Sequence, residues 1–185
     1  MPRRSVPFTP TLSPRAGRGS ALLTPTVSPQ AGRGSKAFLL ELAIQWMVDP
    51  APLPRRRTLR RWMQTALERP ASVTLRFVGT REGRMLNRRY RGPDHATNVL
   101  TFVYDDVASL AGDIVLCAPV VQREAQAQRK SLTAHYAHLV IHGMLHLQGY
   151  DHERDDDAAR MEARERVLLA GLGYRDPYAG DGGRA

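Results

Sequence analysis

Residues 133–147 read TAHYAHLVIHGMLHL, and no other stretch limits the possible folds of this chain so tightly. At about a hundred degrees per residue, His135, His138, His142 and His146 fall on one side of a helix. Tyr136, Leu139, Val140, Ile141, Met144, Leu145 and Leu147 fill the other directions. A helix apolar nearly all round is a buried helix, so the rest of the chain must pack around it. Its imidazoles then face an internal cleft rather than open water, and buried imidazoles need partners.

The spacing says what those partners are. His142 and His146 lie one turn apart and can aim ring nitrogens at one point, about 2 Å from each. An isolated HxxxH is more often a pair of satisfied core histidines than a metal site. Here Gly149 lets the chain reverse after the helix, and His152 can return as a third ligand. Three neutral imidazoles with an open fourth position describe a catalytic zinc site better than a closed structural one. His135 and His138 share the face but lie too far back, and are expected to be supporting or core groups. Gly143 occupies the position at which zinc proteases of this spacing carry the glutamate that moves protons. A metal site here must therefore run without that base.

The surrounding pattern predicts an α+β domain. Strands are expected over 37–46, 72–79, 99–104 and 112–118, and helices over 55–69, 80–90, 118–130 and 133–147, with a last helix opening at Asp155–Asp157. Thr80 is expected to N-cap the second helix, and residues 91–98 read as a loop. These strands would pack with about five helices, the metal site lying at the end of the buried central helix.

Charge separates the chain into parts. Residues 55–91 hold twelve arginines against Glu68 and Glu82, whereas residues 92–185 carry more acid than base. So polarised a surface suits a phosphate-rich partner, although a solvated helix face would give the same count. Residues 1–35 hold five arginines and no acid, and TPTLSPRAGRGS (9–20) recurs as TPTVSPQAGRGS (24–35). Two Pro-, Gly- and Ser-rich copies have nothing to bury, so this extension is expected to be disordered, the domain to span 36–178, and 179–185 to be a disordered tail. The apolar run 37–48 is too short for a bilayer and contains Glu41. Cys117 is the only cysteine. A reducing, cytoplasmic setting without membrane contact is expected.

HGMLHLQGYDH (142–152) resembles the signature of the YbeY-type endoribonucleases, bacterial factors for ribosomal RNA maturation. The resemblance continues through YRGPDHATNVLTF (90–102), GDIVLCAPVVQREA (112–125) and GYRDPY (173–178), and covers about residues 37–178. Thr101 and Val103 depart from it, standing where serine and proline are expected. The resemblance implies an α+β fold, a small mixed β-sheet with helices packed around it, in which His142, His146 and His152 hold one zinc ion and Arg91 is the arginine important for activity. It further implies a single-strand-specific endoribonuclease that processes the 3′ end of 16S ribosomal RNA and takes part in ribosome quality control. Its partners would be ribosomal RNA and the ribosome with its small-subunit proteins.

In such a site zinc is expected to act as Lewis acid and source of hydroxide, and Arg91 to stabilise charge on a phosphorane-like transition state. RNA's own 2′-hydroxyl can serve as nucleophile, which relaxes the need for a base at 143. Asp113, Asp151 and Glu153 are the candidate proton carriers, and Asp113 could equally orient a ligand histidine. Two other classes stay open on the residues alone. One is a zinc peptidase or amidohydrolase with its base elsewhere in the chain. The other is a ribosome-assembly factor whose metal is structural.

Overall fold

In a computed structural model the described residues are 38–104 and 110–179. The expected disordered extension over 1–35 lies outside them, as does the expected 179–185 tail apart from Ala179. Four strands, β1 (Leu40–Trp46), β2 (Ala71–Val78), β3 (Val99–Tyr104) and β4 (Leu110–Cys117), form one sheet in the order β1-β2-β4-β3. β1, β2 and β4 run parallel, and β3 is antiparallel to β4. The helices are α1 (Arg56–Ala66), α2 (Thr80–Arg91), α3 (Ala118–Ala127), α4 (Leu132–Leu147) and α5 (Asp155–Gly171). The fold is α+β, as the sequence predicts.

Strand alternation distributes the core over two faces. Ala71, Val73, Leu75 and Phe77 of β2 and Ile114 and Leu116 of β4 join the main cluster with α1, α4 and α5. The intervening Val115 and Cys117 turn to the opposite face, where they meet Val78, Leu100 and Val120, with Leu86 of α2 packed alongside. The histidine helix thus lies in the main core, and every residue from His135 to Leu147 is buried. Burying a large apolar side chain contributes about 1.5–3 kcal/mol, so the apolar residues of α4 outweigh the cost of its four imidazoles.

Two glycines let α4 lie close on the sheet. A Cβ at Gly112 of β4 would come within 2.4 Å of both Leu147 Cδ2 and the Phe102 carbonyl oxygen. A Cβ at Gly143 would stand 2.9 Å from Ile114 Cγ2. Position 143 therefore points into β4, and no side chain there could serve the histidine face. The sequence shows the missing glutamate, and the packing shows why a glycine stands in its place.

Helix ends explain the departures from expectation. Ser131 caps α4 by accepting from the Ala134 N–H at 3.1 Å. Thr80 is the first helical residue rather than the cap, and Gly79 takes the cap position. α2 runs on to Arg91 because Gly92, at φ +93°, bonds its N–H back to the Asn87 and Arg88 carbonyls. Arg91 is thus the last residue of a helix and not part of a loop. α3 stops at Ala127, short of the expected residue 130, where Arg129 takes a left-handed φ of 52°.

The basic segment is partly consumed by the fold. On the outer edge of β1, Arg56 donates to the Leu42 carbonyl at 2.9 Å and Arg60 to the Leu40 carbonyl at 3.1 Å. These guanidinium groups cover carbonyls that an edge strand would otherwise leave open. Arg76 is tied to Glu82 and Gln45. Of the arginines left without such duties, Arg81, Arg88, Arg89 and Arg91 lie on α2. Among the described residues, no helix is long and apolar enough to cross a membrane.

Candidate metal centre

The last turn of α4 and the turn after it bring His142, His146 and His152 together. α4 ends in a Schellman motif: Gly149, at φ +89°, sends its N–H to the His146 carbonyl, and the Tyr150 N–H reaches the Leu145 carbonyl at 3.1 Å. This reversal returns the Tyr150 carbonyl to His146, which donates to it from Nδ1 at 2.9 Å. Asp151 Oδ1 accepts the His152 backbone N–H at 2.7 Å and fixes the following step of the turn. The ring centroids of 142 and 146 are 4.5 Å apart, those of 146 and 152 are 4.8 Å apart, and those of 142 and 152 are 5.4 Å apart. One ligand atom from each ring lies within 4.8 Å of the other two.

Glu165 controls the first of these rings. Its carboxylate is 0 % exposed. It accepts from His142 Nδ1 at 2.8 Å and from His138 Nε2 at 3.2 Å. The Tyr178 hydroxyl also donates to it. Burial alone would raise the Glu165 pKa, but the hydrogen bonds from His138 and His142 outweigh it and hold the group below the usual carboxylate range. Burial, and then the Glu165 charge, push the Tyr178 hydroxyl up, so it stays protonated and donates.

These contacts fix tautomers. A carboxylate and a carbonyl can only accept, so His142 and His146 both carry hydrogen on Nδ1. Their Nε2 atoms then face one another as lone pairs, 3.1 Å apart. Burial, reinforced by the neighbouring rings of His142 and His152, pushes His146 down to about 3. Burial also pushes His152 down. Two imidazole lone pairs at this separation repel, and a cation between them would relieve the repulsion. A proton could join two rings, but three converging rings fit a metal ion, for which tetrahedral zinc would set nitrogens about 3.3 Å apart. The donor set is neutral nitrogen throughout, backed by one buried carboxylate, and that chemistry suits zinc.

The other sequence candidates are placed as follows. His138 bonds to Glu165 and His135 Nε2 to Glu124 Oε2 at 2.9 Å, so both are supporting groups on the histidine face. Asp113 is engaged by the Tyr104 hydroxyl at 2.5 Å. Glu153 is exposed in the turn after His152. Arg91 is partly buried, and that burial lowers its pKa. Among the described residues it makes no hydrogen bond or ion pair, and none joins it to the three histidines. A partly desolvated guanidinium without a carboxylate beside it is suited to an incoming anion.

Glu165 is the residue that sequence reasoning passed over. Its signal was present, because it falls between Met161 and Leu168 on the apolar stripe of α5. A carboxylate in the middle of a buried stripe needs a buried partner.

A family model described as Endoribonuclease YbeY matches residues 54–173. Similar curated proteins include the Endoribonuclease YbeY of Nitrosomonas europaea, 58% identical over 139 residues, which span 75% of this chain and 85% of that one. The protein of the same name from Aromatoleum aromaticum is 60% identical over 126 residues, 68% of this chain and 82% of that one. The solution structure of TM1509 from Thermotoga maritima overlaps 80% of this chain and 100% of its own, with a TM-score of 0.48 and 23% identity. A structural likeness of that size adds nothing to the sequence matches.

Proposed function

This chain belongs to the YbeY endoribonuclease family, and on that premise we propose that it is a zinc-dependent endoribonuclease acting on single-stranded RNA. Its task in this reading is maturation of the 16S ribosomal RNA 3′ end and quality control of ribosomes, in the cytoplasm and in company with the ribosome. The observation that carries the metal is the pair of Nε2 lone pairs of His142 and His146, 3.1 Å apart, with His152 beside them.

His142, His146 and His152 would hold the zinc, which when bound would supply a Lewis acid for a phosphoryl oxygen or an attacking water. The protein's own residues do the rest. Glu165 keeps the His142 proton on Nδ1 and leaves Nε2 as the ligand atom. The Tyr150 carbonyl does the same for His146. Asp151 holds the backbone that delivers His152. Arg91 binds the scissile phosphate through its planar fork and stabilises the charge that builds as the bond breaks. When the ribose 2′-hydroxyl attacks phosphorus no water need be activated: its proton passes to solvent, the bond to the 5′-oxygen breaks and that oxygen takes up a proton, so the step does not call for a side chain at 143. A peptidase would need a proton shuttle at that position, where a Cβ would already crowd Ile114.

The test pairs metal analysis of the purified protein with cleavage of a ribosomal RNA precursor, with and without a chelator. The expected result is cutting that stops in chelator and returns with zinc, is lost in His142→Ala, and is strongly reduced in Arg91→Glu. Undiminished cutting by His142→Ala, with contaminating nuclease removed, would reject the metal mechanism.

A further inference from the structure

The exposed face of α2 carries more positive charge than the fold uses. Arg81, Arg84, Arg88 and Arg89 line a cleft of about 470 Å³ together with Met85 and Asp94. Arg84 is satisfied by Asp94 through two hydrogen bonds, at 2.9 and 2.6 Å. Arg81 and Arg88 make no hydrogen bond or ion pair among the described residues. Like charges three and four residues apart on a helix repel, so this face is held in an arrangement that a polyanion would relieve. Met85, 56 % exposed, adds an apolar surface to the same cleft.

The order of these residues gives the patch a direction. Arg81, Arg84, Arg88 and Arg91 fall within an arc of about 80° on the helix, and Arg91 ends the row. From Arg81 to Arg91 the helix rises about 15 Å, room for two or more successive phosphates of an extended strand. Resting on the reading of Arg91 and of RNA as substrate given above, we infer that the arginine row of α2 is a track for the phosphate backbone of single-stranded RNA, leading the strand to Arg91. Arg81 and Arg88 grip phosphates beyond the one that is cut, and Met85 lies under the sugar or base between them. The chemistry recognised is a run of phosphates rather than a base sequence, so the track contributes affinity and direction without sequence preference.

The experiment measures binding of a fluorescein-labelled single-stranded RNA to zinc-loaded protein between 50 and 200 mM salt. Wild type is compared with Arg81→Ala/Arg88→Ala and Arg81→Lys/Arg88→Lys doubles. Each phosphate contact on a single strand contributes about 0.7 to the slope of log affinity against log salt. The alanine double should therefore lose about 1.4 of slope, which makes its deficit about sevenfold larger at 50 than at 200 mM. The lysine double should keep the wild-type slope, and zinc content and melting temperature should match wild type in both. An alanine double with the wild-type slope, while wild type itself binds and cuts RNA, overturns the track and leaves the nuclease reading standing. The same unchanged slope, with lost binding to a polyglutamate probe, would assign the cleft to an acidic protein and also overturn it. Wild type that neither binds nor cuts RNA removes the nuclease reading and the track with it.

Discussion

Glu165→Gln should weaken zinc binding about 10- to 100-fold without unfolding the protein. Glutamine keeps the shape of the buried side chain but offers one acceptor oxygen where the carboxylate offers two. In the native site those oxygens serve His142 on one side, and His138 and Tyr178 on the other. Tyr178 can rotate its hydroxyl to accept. His138 can move its proton to Nδ1, which has no hydrogen-bond partner among the described residues. The loss therefore falls on the bond to His142. A hydrogen bond to a charged group contributes about 1.5–3 kcal/mol and a neutral one about 0.5–1.5 kcal/mol, so the difference is about 1–2 kcal/mol. That is roughly 5- to 30-fold in Kd, before the lost attraction between the carboxylate and a divalent ion is added. Competition with a chromogenic zinc chelator near neutral pH reads the affinity, and a thermal melt of metal-free protein shows that the variant folds. A folded variant with a Kd within twofold of wild type would refute the role given to Glu165.

Other perturbations test other joints of the account. Gly143→Glu should not create a protease; overpacking against Ile114 should cost about 1–3 kcal/mol or more in urea unfolding, and a stable variant with peptidase activity would contradict the packing argument. Gly149→Ala forces a side chain into a left-handed turn, so it should cost about 1–2 kcal/mol and also weaken zinc binding. Gly173→Ala, at the equivalent turn after α5, should cost a similar amount and leave zinc affinity unchanged. Metal-free protein should lose stability as pH falls. The folded His146 pKa is near 3 against 6.5 unfolded, so between those values the unfolded chain binds more protons. Its contribution is present above about 6.5 and fades by up to ~1.4 kcal/mol per pH unit toward 3. Glu165, lowered below its unfolded value, pushes in the same direction. Denaturant titrations from pH 7 to 4 read the slope, and a flat profile would show that the imidazoles are not buried neutral.

The sequence carried the metal-site geometry further than the fold. The all-round apolarity of α4, the one-turn spacing of His142 and His146, and Gly149 ahead of His152 are local signals, and the structure brings those three rings together. The strands are legible in their alternation, and the mixed character of the sheet comes with the family resemblance, but the order β1-β2-β4-β3 is not legible, because crossover geometry leaves no mark on a single strand. The loop begins one residue later than the sequence suggests, since Arg91 closes α2 and Gly92 caps it. Glu165 was missed because periodicity treats a stripe as apolar or polar and averages over one buried acid. The arginine count, taken as a single basic face, concealed a division of labour that only contacts reveal. Arg56 and Arg60 close a sheet edge, Arg76 and Arg84 pair with acids, and Arg81 and Arg88 make no hydrogen bond or ion pair among the described residues.

The central claim is that imidazoles from residues 142, 146 and 152 jointly hold one cation. X-ray absorption at the zinc edge, on protein purified with one zinc per chain, tests it most directly when wild type is compared with His152→Ala. The account predicts three imidazole nitrogens at about 2.0–2.1 Å in wild type, and two in the variant with much weaker retention. An identical imidazole count and affinity in the two proteins would contradict it.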